Sequence, residues 1–90
     1  MMDYQEFSCV GPSRVMPDEV LSGIFEKAGH EWRLDPTTKA KVVQYRRVGV
    51  EAWIYGGLRS HYRIQSDGSF CAKLPPAQKA LRLCCLLEEE

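Results

Sequence analysis

Apolar and polar residues alternate along this chain with two different periods. From Pro17 the apolar positions Val20, Leu21, Ile24, Phe25 and Ala28 fall on one arc, with Ser22, Gly23, Glu26 and Lys27 opposite. That spacing predicts an amphipathic helix over residues 17–28. Proline suits the first helical position, Asp18 and Glu19 favour the positive end of the helix dipole, and Gly29 supplies a left-handed stop. Beyond it, "HEWRLD" alternates as a short strand would, with Trp32 and Leu34 on one side.

Residues 36–48 admit two readings. Asp35 before Pro36 has the form of an N-cap with proline behind it, which argues for a helix as far as Val48. "VVQYRRV" and "VEAWIY" are rich in β-branched and aromatic side chains, which argue for strands. Further on, "LRSHYRIQ" and "SFCAKL" flank the turn sequence "SDG". Alternation there predicts one face made of Leu58, Ser60, Tyr62 and Ile64, and a water-facing row of Arg59, His61, Arg63 and Gln65. After "LPP", Pro76 opens a last helix that buries Ala77, Ala80, Leu81, Cys84 and Leu87. Leu83 and Leu86 fall on its wet side and point to a second contact, either within the fold or as a homodimer through this helix.

The expected fold is therefore α+β: a small single domain over residues 1–90 with an N-terminal helix, a short antiparallel sheet of three or more strands and a C-terminal helix. Ninety residues provide one core only. Residues 1–16 lack a clear period and are expected to be loosely ordered, and the acidic tail 88–90 should fray at the unfavourable end of the helix dipole.

Charge changes this picture, because the net value of zero conceals a segregation. Residues 1–35 carry seven acids and three bases, residues 36–63 one acid and six bases, and residues 64–90 four acids and three bases. The basic middle, with its tyrosines, is the place to expect a partner. Lys39, Lys41, Arg46, Arg47, Arg59, His61 and Arg63 are the candidate partner-binding residues, with Tyr45 and Tyr55 as aromatic contacts, whereas Trp53 and Tyr62 are expected in the core. Arginine and aromatic residues are enriched at the energetic centres of protein interfaces. The leading expectation is a small non-catalytic regulatory protein that docks on a larger protein, as an inhibitor, adaptor or regulatory subunit. The alternative is a DNA- or RNA-binding regulator using residues 39–63, with "YRRVGVEAWIYGGL" as a helix-turn-helix and "HYRIQSDGSFCAKL" as a β-wing. A neutral chain favours the protein partner, since polyanion binders usually carry a basic excess across the domain.

Candidate chemistry is sparse. There is no C-x-x-C or H-x-x-x-H and no glycine-rich phosphate loop, so neither a metal nor a cofactor is expected. Cys71 and His61 lie on adjoining predicted strands, where a thiol and a base could meet, but a buried Cys71 beside a water-facing His61 is the favoured reading. His30, just after a helix end, is expected to bond free carbonyls there. The N-terminus lacks the apolar run of a secretory signal, and no segment approaches a membrane span. A cytoplasmic protein with reduced cysteines is expected, although a Cys9–Cys71 bridge would form in an oxidising compartment.

Overall fold

A computed structural model describes residues 7–86, with the backbone alone described at Leu86. Its elements are β1 (Ser13–Val15), α1 (Asp18–Lys27), β2 (His30–Leu34), β3 (Val42–Arg47), β4 (Ile54–Leu58), β5 (Tyr62–Gln65), β6 (Phe70–Ala72) and α2 (Pro75–Leu86). The α+β class is as expected, but the strands form two sheets of three, in the orders β1-β5-β6 and β2-β3-β4. All the pairings between these strands are antiparallel.

The helices follow their sequence signals closely. Leu21, Ile24 and Phe25 of α1 are buried, and the helix stops where Gly29 takes φ of 78°. Pro17 is the N-cap and not the first helical residue, its carbonyl accepting from the amides of Val20 and Leu21. In α2 it is Pro75 that opens the helix, one residue earlier than expected. Pro75 and Pro76 occupy first-turn positions, where a missing N–H loses no helical bond. Ala77, Ala80, Leu81 and Cys84 are buried as the apolar arc requires; Leu87 and the tail 88–90 lie outside the described residues.

The segment 36–48 resolves as a turn followed by a strand. The Asp35 carboxylate does bond two residues on, accepting from the Thr37 amide and hydroxyl, but it closes a turn and caps no helix. Those bonds, led by the hydroxyl of Thr37, hold the Asp35 carboxyl below its ordinary pKa. Val43 and Tyr45 then face the core and Gln44 and Arg46 face away, which is the period of two that a strand demands. Consequently "YRRVGVEAWIYGGL" is a β3–β4 hairpin and not a helix-turn-helix. Its β-branched and aromatic side chains outweigh the single cap signal, and the Gly56-Gly57 pair fits a strand irregularity better than a helix interior.

"LRSHYRIQ" is not one strand either. A single 3-10 turn over Arg59–His61 separates β4 from β5 and resets the alternation. Tyr62 and Ile64 reach the core as expected, while Leu58 and Ser60 are exposed. Residues 13–16, expected to be loose, are ordered: β1 pairs with β5 and Met16 is fully buried.

The core gathers side chains from both helices and both sheets, among them Met16, Phe25, Val43, Tyr45, Tyr62 and Leu81. At its centre Tyr62 donates a 2.6 Å hydrogen bond to the Gly56 carbonyl. Phe25 stacks on Tyr45 with ring centroids 5.3 Å apart. A Cβ at Gly56 would lie 2.8 Å from Tyr62 Oη and 3.1 Å from Tyr45 Cδ1, so only glycine lets β4 approach these rings. The adjacent Gly57 has φ of 88° and packs its backbone against the first turn of α2.

Two predictions come from this centre. Gly56→Ala should destabilise the fold by about 1–3 kcal/mol, and Tyr62→Phe by about 1 kcal/mol. Because Phe removes the oxygen that the new methyl would strike, the double variant should be more stable than the sum of the two losses implies, as urea unfolding of the four-member cycle would measure. Burial raises the pKa of Tyr62, and burial followed by the nearby Cys84 raises that of Tyr45. The unfolded chain therefore releases these protons first, from about pH 10. Stability should be fully present below that pH and fall as pH rises further, with both phenols ionising only as the fold is lost in a tyrosinate absorbance titration.

Candidate functional site

The register of β2, β3 and β4 places Glu31 beside Arg46, and Arg33 beside Gln44 and Tyr55, all on the face turned away from the helices. This face carries a compact cluster. The guanidinium carbons of Arg33 and Arg46 lie 4.3 Å and 4.2 Å from the ring centroid of Trp53, the residue just ahead of β4. Cation–π contacts of this kind contribute about 0.5–1 kcal/mol at exposed positions.

Polar bonds fix both arginines further. Arg33 Nε donates to Gln44 Oε1 at 2.8 Å. Arg46 Nε donates to Glu31 Oε2 at 2.7 Å, and its Nη1 donates to the Glu51 carbonyl at 3.0 Å. Tyr55 stands on the same face with 59% of its surface exposed. The result is a pair of oriented cations, a half-buried indole and an exposed phenol on a rigid strand surface.

Among the candidates from sequence, Arg46 and Tyr55 belong to this cluster. Lys39 and Lys41 are exposed in the loop that enters β3. Arg47 is exposed but has the opposite strand parity, across from His30, and so turns away from Arg46. Tyr45 is no contact residue: at 2% exposure it is part of the core.

Arg59 is likewise corrected. The 3-10 turn carries it inward to 8% exposure, where its Nη2 donates to the Met16 carbonyl and to Asp18 Oδ1. Arg63 lies on the other sheet, half-buried, its Nε and Nη2 bonded to the Ser13 hydroxyl and carbonyl. His61 sits half-buried in the 3-10 turn, apart from the Trp53 cluster.

Sequence reasoning missed Arg33, and it assigned Trp53 to the core. Arg33 precedes the basic segment, and its alignment with Arg46 depends on the β2–β3 pairing. The available signal was parity: Glu31 and Arg33 alternate with Trp32, as Gln44 and Arg46 do with Tyr45.

The remaining candidate groups are occupied elsewhere. Cys71 is bonded to Cys9, so it offers no thiol to His61, and the expectation of four reduced cysteines is corrected for this pair. Cys71 is fully buried on the outer face of its sheet, where Ser8 forms a bridge to Ala72 and brings Cys9 within bonding distance. His30 behaves as expected at a helix end, its Nδ1 lying 3.0 Å from the Ala28 carbonyl, which can only accept. Among the described residues no helix is long and apolar enough to cross a membrane. Compared with known protein families, curated proteins and solved structures, the chain shows no match.

The distinction between Arg59 and the surface arginines is measurable. Arg59→Glu would place a carboxylate against Asp18 and the Met16 carbonyl, and should cost most of the fold, about 3–5 kcal/mol. Arg33→Glu and Arg47→Glu should each stay within about 1 kcal/mol of wild type. Thermal melts followed by far-UV circular dichroism would separate the two groups.

Proposed function

We propose that this protein is a small non-catalytic regulatory module that docks on a larger protein through the outward face of the β2-β3-β4 sheet. The observation that carries this reading is the convergence of Arg33 and Arg46 on Trp53 beside the exposed Tyr55. Arg, Trp and Tyr are the side chains that dominate interface energetics. The hydrogen bonds that Arg33 donates to Gln44, and Arg46 to Glu31 and the Glu51 carbonyl, support it, because cations already held in place lose less freedom on binding. Lys39 and Lys41 add positive charge nearby and favour an acidic partner surface.

Exposed aromatic rings beside arginines also fit single-stranded nucleic acid, where bases stack and phosphates pair. The protein partner remains the better reading for a chain of zero net charge. The exposed Leu83 on α2 supports a homodimer contact as a separate feature. The Cys9–Cys71 bond favours an oxidising compartment over the cytoplasm expected from sequence.

The double variant R33E/R46E should retain the far-UV spectrum and lose cross-linking to acidic partner proteins in host extract. Undiminished cross-linking would overturn the reading. A parallel titration with fluorescent single-stranded DNA should show weak binding at low salt. Tight binding with a steep salt dependence would move the function to nucleic acid.

A further inference from the structure

The face that carries Trp53 does not end at Tyr55. Along β3 the outward positions run Arg46, Gln44, Val42, and Val42 pairs with Leu58 at the end of β4. There the sheet opens into a cavity of about 440 Å³ lined by Val15, Ala40, Lys41, Leu58, Arg59 and Ser60. It lies where the two sheets meet, since Val15 belongs to β1 and Leu58 to β4. Its hydrophobic lining residues, Val15 and Leu58, are themselves exposed.

The electrostatics of this cavity are one-sided. Lys41 stands at its rim, and the buried Arg59 forms part of its wall. Arg59 is paired in charge with Asp18 but not fully hydrogen-bonded: its Nη2 bonds Asp18 and the Met16 carbonyl, whereas its Nη1 is buried with no hydrogen-bond partner among the described residues. The exposed Lys41 cation and the unbonded Nη1 donor beside apolar walls make the cavity attractive to an apolar group that is flanked by negative charge.

We propose that this cavity seats one large aliphatic side chain of an extended acidic segment of a protein partner, with that segment's carboxylates lying along Arg33 and Arg46. The inference rests on the docking reading above and names the chemistry of the docked segment. From Val42 to Arg46 the strand advances about 13 Å, so an extended partner segment places an acid about four residues from its aliphatic anchor. The volume accommodates a leucine, isoleucine or methionine side chain, and the Arg33 Nη atoms, which no described residue bonds, are available for a two-point contact with a carboxylate.

Selection of displayed random peptides on the immobilised protein tests this. The expected winners carry one aliphatic residue with acids about four positions away. Synthetic copies should bind about ten- to a hundredfold more weakly when the aliphatic residue becomes alanine. They should weaken similarly on Ala40→Glu, which fills and acidifies the mouth from an exposed loop position, and on Leu58→Asp. Thermal melts of both variants would confirm that the fold persists.

Arg33- and Arg46-dependent peptides with no aliphatic requirement, or with affinity unchanged in both cavity variants, would overturn the cavity's role and leave the docking face standing. Binders indifferent to R33E/R46E as well as to the cavity variants, or no enriched sequence, would overturn both. A dimer in sedimentation that is lost on Ala40→Glu would assign the cavity to a second copy of this chain and also overturn the inference.

Discussion

The buried guanidinium of Arg59 is the constraint on which the arrangement of the two sheets depends. Its backbone amide bonds the Lys41 carbonyl at the entrance to β3, and its side chain reaches Met16 and Asp18 between β1 and α1. The guanidinium carbon also lies 5.6 Å from the Trp32 ring centroid of β2. One residue in a three-residue turn thus ties together β2, the entrance to β3, the link between β1 and α1, and α1 itself. A buried charge is costly unless it is bonded, and the arrangement persists because a carbonyl and a carboxylate converge on one nitrogen. The same placement leaves an unbonded guanidinium donor beside the cavity between the sheets, so a structural requirement of the fold also shapes the chemistry of that cavity.

The second constraint is steric. Tyr62, Tyr45 and Phe25 fill the space between sheets and helices, and β4 closes over them only because residue 56 has no side chain. Tyr62 then satisfies the Gly56 carbonyl, so the close approach leaves no buried polar group without a partner at that point. Gly57, with its positive φ, turns the backbone toward Ala77 and brings α2 onto the sheet. At the other end of the chain the Cys9–Cys71 bond spans 62 residues, and on loop-entropy grounds a closure of that length disfavours the unfolded state by about 4 kcal/mol. That is a large contribution for a domain whose core is limited by its length.

Elements governed by local period were legible from sequence. The arc of Leu21, Ile24 and Phe25, the shared inward face of Tyr62 and Ile64, and the burial of Ala80 and Leu81 all follow from spacing alone. What was not legible depended on a break in phase or on a distant partner. The 3-10 turn at Arg59–His61 shifts the alternation, so an arginine that parity assigns to water enters the interior. Tyr45 reads as a surface aromatic only while residues 36–48 are undecided between helix and strand; once they form β3, its parity with Val43 buries it. Arg33 and Arg46 are thirteen positions apart, and nothing local states that both will reach Trp53. The disulfide is long-range in the same sense, since cysteine spacing alone fixes no pairing.

A neutral molecule can still present a selective cationic face when its charges are segregated in space. Long-range attraction to an acidic partner is weak here, because the acids of α1 and the bases of β3 cancel at distances beyond about one Debye length, roughly 8–10 Å. On the proposed docking reading, recognition would then rest on short-range geometry. Arg46 is braced by Glu31 and the Glu51 carbonyl, Arg33 by Gln44, and both by Trp53, so the side-chain entropy that a flexible lysine would lose on docking has already been lost in folding. The bracing contacts are worth little to stability individually, since exposed ion pairs contribute about 0–1 kcal/mol. Their value is positional: they keep two guanidinium groups together on one strand surface. Arg63, also basic, is bonded to Ser13 on the other sheet and contributes no free donor to that face. The number of arginines in the basic middle is therefore a poor guide to which cations share one face, and the pairing of β2 with β3 a better one.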